Sequence, residues 1–514
     1  MISRVHSFVL QGIEALPCEV EVDFATAGLP RTTLVGLPDT AVRESADRVR
    51  TAIENTGLEW PRCRLTVNLA PAELRKEGPV YDLPIAVGIL LGSARRGTRP
   101  RAGPDPEAFL LAGELALDGR LRPIRGAVSM ALLARSQGRR GVILPPENAK
   151  EAAVVEGVSA LSAERLADVV AFLRGEAELP LAPPPDPEAS PPPAAEVDFA
   201  EIRGQEAAKR ALAIAASGGH NVLLIGPAGS GKTMMARALP GILPPLTREE
   251  SLEVTRLFSC AGLAPGARAG TVPRPVRTPH HSASAAAIVG GGAIPRPGEV
   301  SLAHHGILFM DELPEFARSV LETLREPLED GHVTIARAWG AVRFPARVML
   351  VAAMNPSARG GRGGFGGAVS AREEARYQRR LSGPLVDRID LHVEVHPVPF
   401  RELASARAGS SSAELRTRVL EARRMQAVRQ GAGRPNASLR GRELDRHAPL
   451  EPEAAQLLGA AVEQLGLSAR AWDRVRRVAR SIADLDEPGC PRVRAHHVAE
   501  AVQYRLLDRA TASA

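Results

Sequence analysis

An α/β fold, preceded by a separate α+β body and followed by an all-helical one, is what three features of the sequence predict. Apolar runs at residues 221–225, 306–310 and 347–354 each lead straight into a polar, chemically loaded segment. A proline-dense stretch, LPLAPPPDPEASPPPAAE (179–196), forbids helix or sheet interior and favours an extended spacer between two folded bodies. From about residue 399 onward the pattern turns helical and Arg-rich.

At 514 residues the chain exceeds one compact core, and a prior of roughly 100–200 residues per domain gives about three units. A 3% aromatic content leaves the cores to Leu, Val, Ile and Ala. The formal net charge of +6 is compatible with a nucleic-acid partner but too mild over this length to argue for one. Cys18, Cys63, Cys260 and Cys490 stand apart with no C-x-x-C spacing, which points to a reducing compartment and away from a cysteine zinc site. The N-terminus, MISRVHSFVLQGIEAL, has no apolar segment followed by a small-residue cleavage site, and no run of about eighteen apolar residues occurs. A cytoplasmic protein with no membrane partner is expected.

In the N-terminal body, β-like runs at 65–69 and 141–144 alternate with helical patterns at 39–56 and 127–137. Past the spacer, a helix at 205–217 precedes the first strand of the α/β core. That strand, 221–225, enters Gly226-Pro227-Ala228-Gly229-Ser230-Gly231-Lys232-Thr233 and then a helix, which is G-x-x-x-x-G-K-[ST] in the strand, loop and helix setting the motif requires. Glycines let backbone N–H groups converge on phosphate oxygens. The helix N-terminus adds partial positive charge, Lys232 reaches the β and γ phosphates, and Thr233 offers its hydroxyl to Mg²⁺. ATP and Mg²⁺ are thus the expected ligands. The second run ends in Asp311-Glu312: Asp311 is placed to hold Mg²⁺, and Glu312 to activate the attacking water. The third ends in Asn355, a polar amide at a strand tip in the slot called sensor 1. Arg388 is a candidate arginine finger for a neighbouring subunit's ATP, and Arg470 a candidate sensor 2 from the lid. In a chain this rich in Arg, an ordinary surface salt bridge remains open for both.

Together these segments closely resemble the Mg-chelatase-like AAA+ ATPases of the YifB/ComM family. The resemblance is carried by Ile202-Arg203-Gly204-Gln205-Glu206, Gly218-Gly219-His220-Asn221, Thr278-Pro279-His280-His281-Ser282-Ala283-Ser284, Pro295-Arg296-Pro297-Gly298-Glu299 and Leu313-Pro314-Glu315-Phe316, and it covers nearly the whole chain apart from the spacer. It implies a Lon-protease-like domain at 1–178, a P-loop AAA+ core of Mg-chelatase type at 197–398, a helical lid at 399–514, and a homo-oligomer, a hexameric ring. It places Arg388 and Arg470 in the family's finger and sensor 2 segments. For ComM-type members it implies ATP-driven branch migration of DNA, a helicase activity, during natural transformation. The rival implication is a Mg-chelatase-like or chaperone-like ATPase that remodels a protein partner, and the N-terminal domain is the natural place for protein partners to bind.

Two departures from the pattern matter. Lon-type proteases carry Lys-Asp-Gly-Pro-Ser-Ala-Gly, whereas this chain has Lys76-Glu77-Gly78-Pro79-Val80-Tyr81-Asp82, and Val128 follows Pro123-Ile124-Arg125-Gly126-Ala127 where the partner lysine is expected. Valine can neither attack a carbonyl nor accept a proton, so the domain should be proteolytically inert. Where family members commonly have a cysteine cluster, residues 357–367 read Ser-Ala-Arg-Gly-Gly-Arg-Gly-Gly-Phe-Gly-Gly, a flexible loop or an RGG-type contact to single strands. DNA contacts are expected on a hairpin at 331–344, where Arg337 and Arg343 follow phosphates and Trp339 stacks on a base, unless the hairpin packs on a neighbouring subunit. Arg274 and Arg277 are second-rank candidates. The pairs His280/His281, His304/His305 and His496/His497 are read as structural, because neighbours on a strand point to opposite faces.

Overall fold

The N-terminal sequence alternates Val5 with exposed neighbours and Val20, Val22 and Phe24 with half-buried ones, the period-2 signature of strands with one face on a core. In the computed structural model these are β1 (Ile2–Gln11) and β2 (Glu14–Ala25), an antiparallel hairpin in register from Ile2↔Asp23 to Gln11↔Glu14. The structure describes residues 2–25, 29–94, 103–184, 196–263, 272–337, 340–356, 383–398 and 409–505. It divides into two units, Met1–Pro191 with Arg248–Val272, and Pro192–Thr247 with Pro273–Ala514.

The first unit holds a seven-stranded mixed sheet of order β3-β4-β2-β1-β5-β8-β9, with β3 at Thr32–Val35, β4 at Arg64–Ala70, β5 at Phe109–Leu111, β8 at Gly141–Leu144 and β9 at Ser159–Ser162. The short strands β6 (Glu114–Leu115) and β7 (Leu121–Arg122) pair apart from it. Helix α1 (Thr40–Asn55) starts where the Asp39 carboxylate accepts the Val42 N–H at 2.8 Å, satisfying one of the free donors of a helix end. Helix α2 (Asp82–Ala94) buries Leu83, Ile85, Val87, Ile89 and Leu90, too many directions for a surface helix, and it is the unit's central one. Its first residue, Asp82, is fully buried, and Arg48 neutralises it at 2.6 and 3.1 Å.

Two features of this unit differ from the sequence expectation. The spacer does not begin at 179: Ser162 N–H donates to the Pro180 carbonyl at 2.9 Å and Ala182 N–H to that of Ala160 at 2.8 Å, so residues 180–182 cover the open edge of β9, which would otherwise present unpaired backbone groups. The helix Arg248–Ala261, assigned by sequence to the ATPase core, belongs to this unit instead. It buries Val254, Leu257 and Cys260, and Arg256 donates to the Ile13 carbonyl at 3.0 Å and to Glu14 at 2.6 Å.

In the second unit five parallel strands run in the order Val276–Arg277, Ile307–Met310, Met349–Met354, Val222–Ile225, Leu391–Glu394. The three central strands, buried on both faces, read as near-continuous apolar runs. The order places the strand ending at Asn355 between the strand feeding the P-loop and the strand feeding Asp311. A helical C-terminal region follows, with helices Ser412–Gln430, Pro452–Leu465, Ala469–Asp486 and Ala495–Gln503. Val475, Val478, Ala479 and Ile482 are all buried as their spacing predicts, the larger ones contributing roughly 1.5–3 kcal/mol each. The spacing of Leu457, Leu458, Ala461, Val462 and Leu465 predicts a second apolar stripe, and here the structure differs: Leu458 is buried but Leu457 is exposed, and Ala454 takes the inner position. Among the described residues no helix is long and apolar enough to cross a membrane.

Candidate nucleotide site

The P-loop joins the strand Val222–Ile225 to the helix Lys232–Ala238. Gly229 and Gly231 have φ of 80° and 92°, and nothing stands within 4 Å of where a Cβ would be. Glycine is required there by the left-handed backbone alone, and the loop's concave face is open. Gly226 is required by space, since a Cβ would lie 2.2 Å from the Val395 carbonyl oxygen. Gly226→Ala is expected to push the loop out of place, lower affinity for a fluorescent ATP analogue and cost about 1–3 kcal/mol of stability; wild-type binding by this variant would show that the loop has slack.

Lys232 closes the loop on itself. Its ammonium donates to the carbonyls of Gly226 at 2.6 Å and Pro227 at 2.8 Å, and to Asn355 Oδ1 at 3.2 Å. Burial lowers its pKa from the usual lysine value, with the charges of Asp311 and Glu312 opposing. Thr233 Oγ1 donates to Asp311 Oδ2 at 3.0 Å, and Asp311 Oδ1 accepts the Glu312 N–H at 2.9 Å. Glu312 itself has φ of 53°, which a residue with a side chain seldom adopts, and leaves its carboxylate exposed. Ser230 Oγ is buried with no protein partner, as expected of a hydroxyl awaiting a ligand. A lysine, a hydroxyl beside a carboxylate, and an open cradle of backbone donors are the groups a Mg²⁺-nucleotide needs, and the site fits one.

Lys232, Thr233, Asp311, Glu312 and Asn355, with the loop 226–231, are thereby brought together. Arg388 pairs with a different acid, Glu329, whose carboxyl also feels the charge of Arg470. The Arg388 guanidinium donates to Glu329, whose carboxyl is held below its usual range by that hydrogen bond and by the charges of Arg388, Arg470 and Arg440. Arg388 also lines a pocket of about 600 Å³ with Glu322, Arg325, Glu326, Glu329 and Arg337. Two residues near the nucleotide site were passed over as functional in the sequence. His281 Nδ1 lies 3.6 Å from Glu312 Oε2, and Gln205 Nε2 donates to the carbonyls of Ser230 and His396. Both sit in segments that carry the family resemblance, and this was the only signal of them.

The expected DNA-contacting residues fare unevenly. The hairpin exists as His332–Arg337 paired with Gly340–Pro345, Val333, Ile335, Val342 and Phe344 facing inward. Arg343 is exposed and donates to His332 Nδ1 at 2.7 Å, while Arg337 donates to the Gly292 carbonyl at 3.0 Å. Trp339 and the loop 357–367 lie outside the described residues. Arg274 and Arg277 are engaged within the fold. Arg277 forks onto Glu299 at 2.5 and 2.8 Å, and Arg274 donates to the carbonyls of Pro244 and His305, so neither guanidinium is presented for phosphate. The three histidine pairs are not on strands; each stacks its two rings, with centroids 3.9–4.1 Å apart. Glu487, His496 and His497 bring three possible metal ligands close together, yet His497 Nδ1 accepts the Arg494 N–H at 3.1 Å and Arg494 pairs with Glu487 at 2.9 Å. With one ring nitrogen already an acceptor, metal ligation by the other would need an imidazolate.

Comparison with known proteins agrees with this geometry. Residues 198–403 match the family model described as magnesium chelatase, subunit ChlI; residues 20–148 match subunit ChlI of Mg-chelatase, and 409–505 the ChlI C-terminal model. The chain is 46% identical over 509 residues to the YifB protein of Salmonella typhimurium, covering 98% of this chain and 97% of that one. It is 44% identical over 508 residues to the competence protein ComM of Haemophilus influenzae, with the same two coverages. The magnesium-chelatase 38 kDa subunit of Cereibacter sphaeroides is 28% identical over 245 residues, 44% of this chain and 71% of that subunit. With an N-terminal ChlI-like domain, a Mg-chelatase-type AAA+ ATPase core and a ChlI C-terminal domain in that order, the chain belongs to the YifB/ComM family.

Proposed function

We propose that the protein is an ATP-driven hexameric DNA motor of the ComM type, moving branched DNA during recombination in natural transformation. The observation that carries this reading is the 44% identity to competence protein ComM over 508 residues, on a chain whose nucleotide-binding groups converge at one site. In this reading Lys232 leaves the Gly226 and Pro227 carbonyls for the β and γ phosphate oxygens. Thr233 and Asp311 hold Mg²⁺, which supplies charge neutralisation between those phosphates when bound. Glu312, fixed through Asp311, takes the proton of the attacking water, and Asn355 orients that water. Arg388 and Arg470 belong to the next subunit's site, where they stabilise charge on the transferring phosphoryl group. That both guanidinium charges act on Glu329 supports a shared task. On the hairpin Arg343 would meet the strand being moved, with Trp339 proposed from the sequence alone and Arg337 in a lesser role because it bonds Gly292.

The first unit fits a Lon-protease-like domain that serves as a platform for partners, because Val80 and Val128 stand where Ser-Lys chemistry would need its two groups. The second reading, a Mg-chelatase-like ATPase acting on a protein partner, is favoured by the likeness to the 38 kDa chelatase subunit. One assay separates the two: ATP hydrolysis with and without single-stranded and four-way-junction DNA, with Lys232→Ala as the blank. Turnover stimulated by DNA, falling as salt rises and absent in Lys232→Ala, is the expected result. Hydrolysis indifferent to DNA but raised by a porphyrin-binding protein would replace the motor with the chelatase reading.

A further inference from the structure

The strand that feeds the P-loop is immediately preceded by His220 and Asn221, two residues that the nucleotide site itself does not use. Asn221 Nδ2 donates to the Arg388 carbonyl at 3.0 Å, and its Oδ1 accepts the Leu350 N–H at 2.8 Å. Its own carbonyl accepts from Asp390 N–H and Leu391 N–H, each at 3.1 Å. His220 spans two other elements: Nδ1 lies 3.3 Å from Asp390 Oδ2, and Nε2 2.7 Å from Ser481 Oγ. Asp390 is two residues beyond Arg388. Ser481 is on the helix Ala469–Asp486, whose second residue is Arg470, and Arg474 of the same helix reaches Asp390 at 3.8 Å.

Ser481, His220 and Asp390 have the order of a hydrolase triad, but Ser481 and His220 are 0% exposed, so no substrate carbonyl can meet Oγ. The fold nevertheless makes room for the link. A Cβ at Gly218 would stand 2.1 Å from His220 Nε2 and 2.3 Å from Ser481 Oγ. A buried, satisfied polar chain of this kind fixes geometry where apolar packing would leave latitude.

We propose that His220 and Asn221 are positioning residues that set Arg388 and Arg470 in register with their own subunit's P-loop strand, so that each subunit presents both arginines to its neighbour in one fixed arrangement. This rests on the reading in which those arginines act across subunits. The strands on either side are each laddered to the P-loop strand from Val222 to Ile225. The Arg388 carbonyl, three residues before that ladder begins at Leu391, has Asn221 as its donor, so the pair carries the register past the ladder's end.

The test is subunit mixing. His220→Ala and Asn221→Ala homo-oligomers should lose on the order of 10²-fold in kcat while retaining wild-type binding of an ATP analogue. Either variant has a sound P-loop and displaced arginines; Lys232→Ala has the reverse. Mixed rings of the two should regain turnover, because the variant's nucleotide then meets the arginines of a Lys232→Ala neighbour. Arg388→Ala mixed with Lys232→Ala is the control. If the control pair regains turnover and the His220 or Asn221 pair does not, these residues act on their own subunit's site and the inference is overturned. If the control pair also fails, the cross-subunit reading falls and the inference with it. Should His220→Ala not fold, Asn221→Ala carries the same test, since it leaves the His220 bridge in place.

Discussion

Arg388→Ala is expected to lower ATP turnover by about 10³–10⁵-fold, the range found when an arginine finger is removed, with ATP-analogue binding unchanged. On the proposed reading the guanidinium serves charge that develops only as the phosphoryl group transfers, so its loss should leave the ground state alone. Arg388→Lys should recover little, since an ammonium cannot reproduce the planar fork. In the protomer the group is paired with Glu329, whose side chain is 47% exposed. The Arg388 side chain is 12% exposed, so the pair is open to water on one side only; it contributes modestly to stability, and the variant should unfold within a few degrees of the wild-type temperature. Steady-state kinetics beside analogue binding decides the matter: turnover within a few-fold of wild type would make Arg388 the surface salt bridge that its sequence context also allowed.

Glu312→Gln is expected to cost about 10²–10⁴-fold in kcat, the usual worth of a general base. The amide is isosteric and cannot accept the water's proton, yet the hydrogen bonds that join Lys232, Thr233, Asp311 and Asn355 do not involve the lost charge. The bond to Asp311 comes from the Glu312 backbone N–H, and the Thr233–Asp311 bond is independent of it. The variant should therefore bind ATP and hold it unhydrolysed, which a single-turnover experiment with radiolabelled ATP reads as a long-lived complex. A variant that hydrolyses normally would remove Glu312 from the chemistry. One that is inactive in the test tube but complements in cells would favour a protein whose ATP merely sets assembly.

How much of this was legible in the sequence follows from the range of the interactions involved. The P-loop, Asp311, Glu312 and Asn355 are each written within a few residues of a strand end, and local pattern finds them because their chemistry needs that placement. Helices 39–56 and 127–137 were legible for the same reason: the Asp39 cap and the spacing of Val42, Val49 and Ile53 are local, and so is the apolar run that opens the second. Other features depend on distant partners. Residues 180–182 read as spacer because proline dominates there, yet Ser162 and Ala160 supply the backbone partners that hold them. Arg277 read as a phosphate contact because Glu299, 22 residues on, cannot be known as its partner from spacing. Leu457 read as core from its period, and the packing of Ala454 and Leu458 turned that helix to leave it out. His220 and Asn221 looked like a prelude to the P-loop, since their partners at 390 and 481 are more than 160 residues away.

The helix Arg248–Ala261 makes the first unit discontinuous in the chain. Its backbone leaves the ATPase unit, contributes Val254, Leu257 and Cys260 to the other unit's interior, and returns. A single proteolytic cut in the proline-rich stretch would accordingly not free the whole N-terminal unit, and a chain starting at residue 192 would retain a helix whose apolar face has lost its cover. Replacing the N-terminal unit therefore means replacing residues 248–272 together with 1–191. Any exchange or deletion of it acts on two separate stretches of the ATPase's sequence at once.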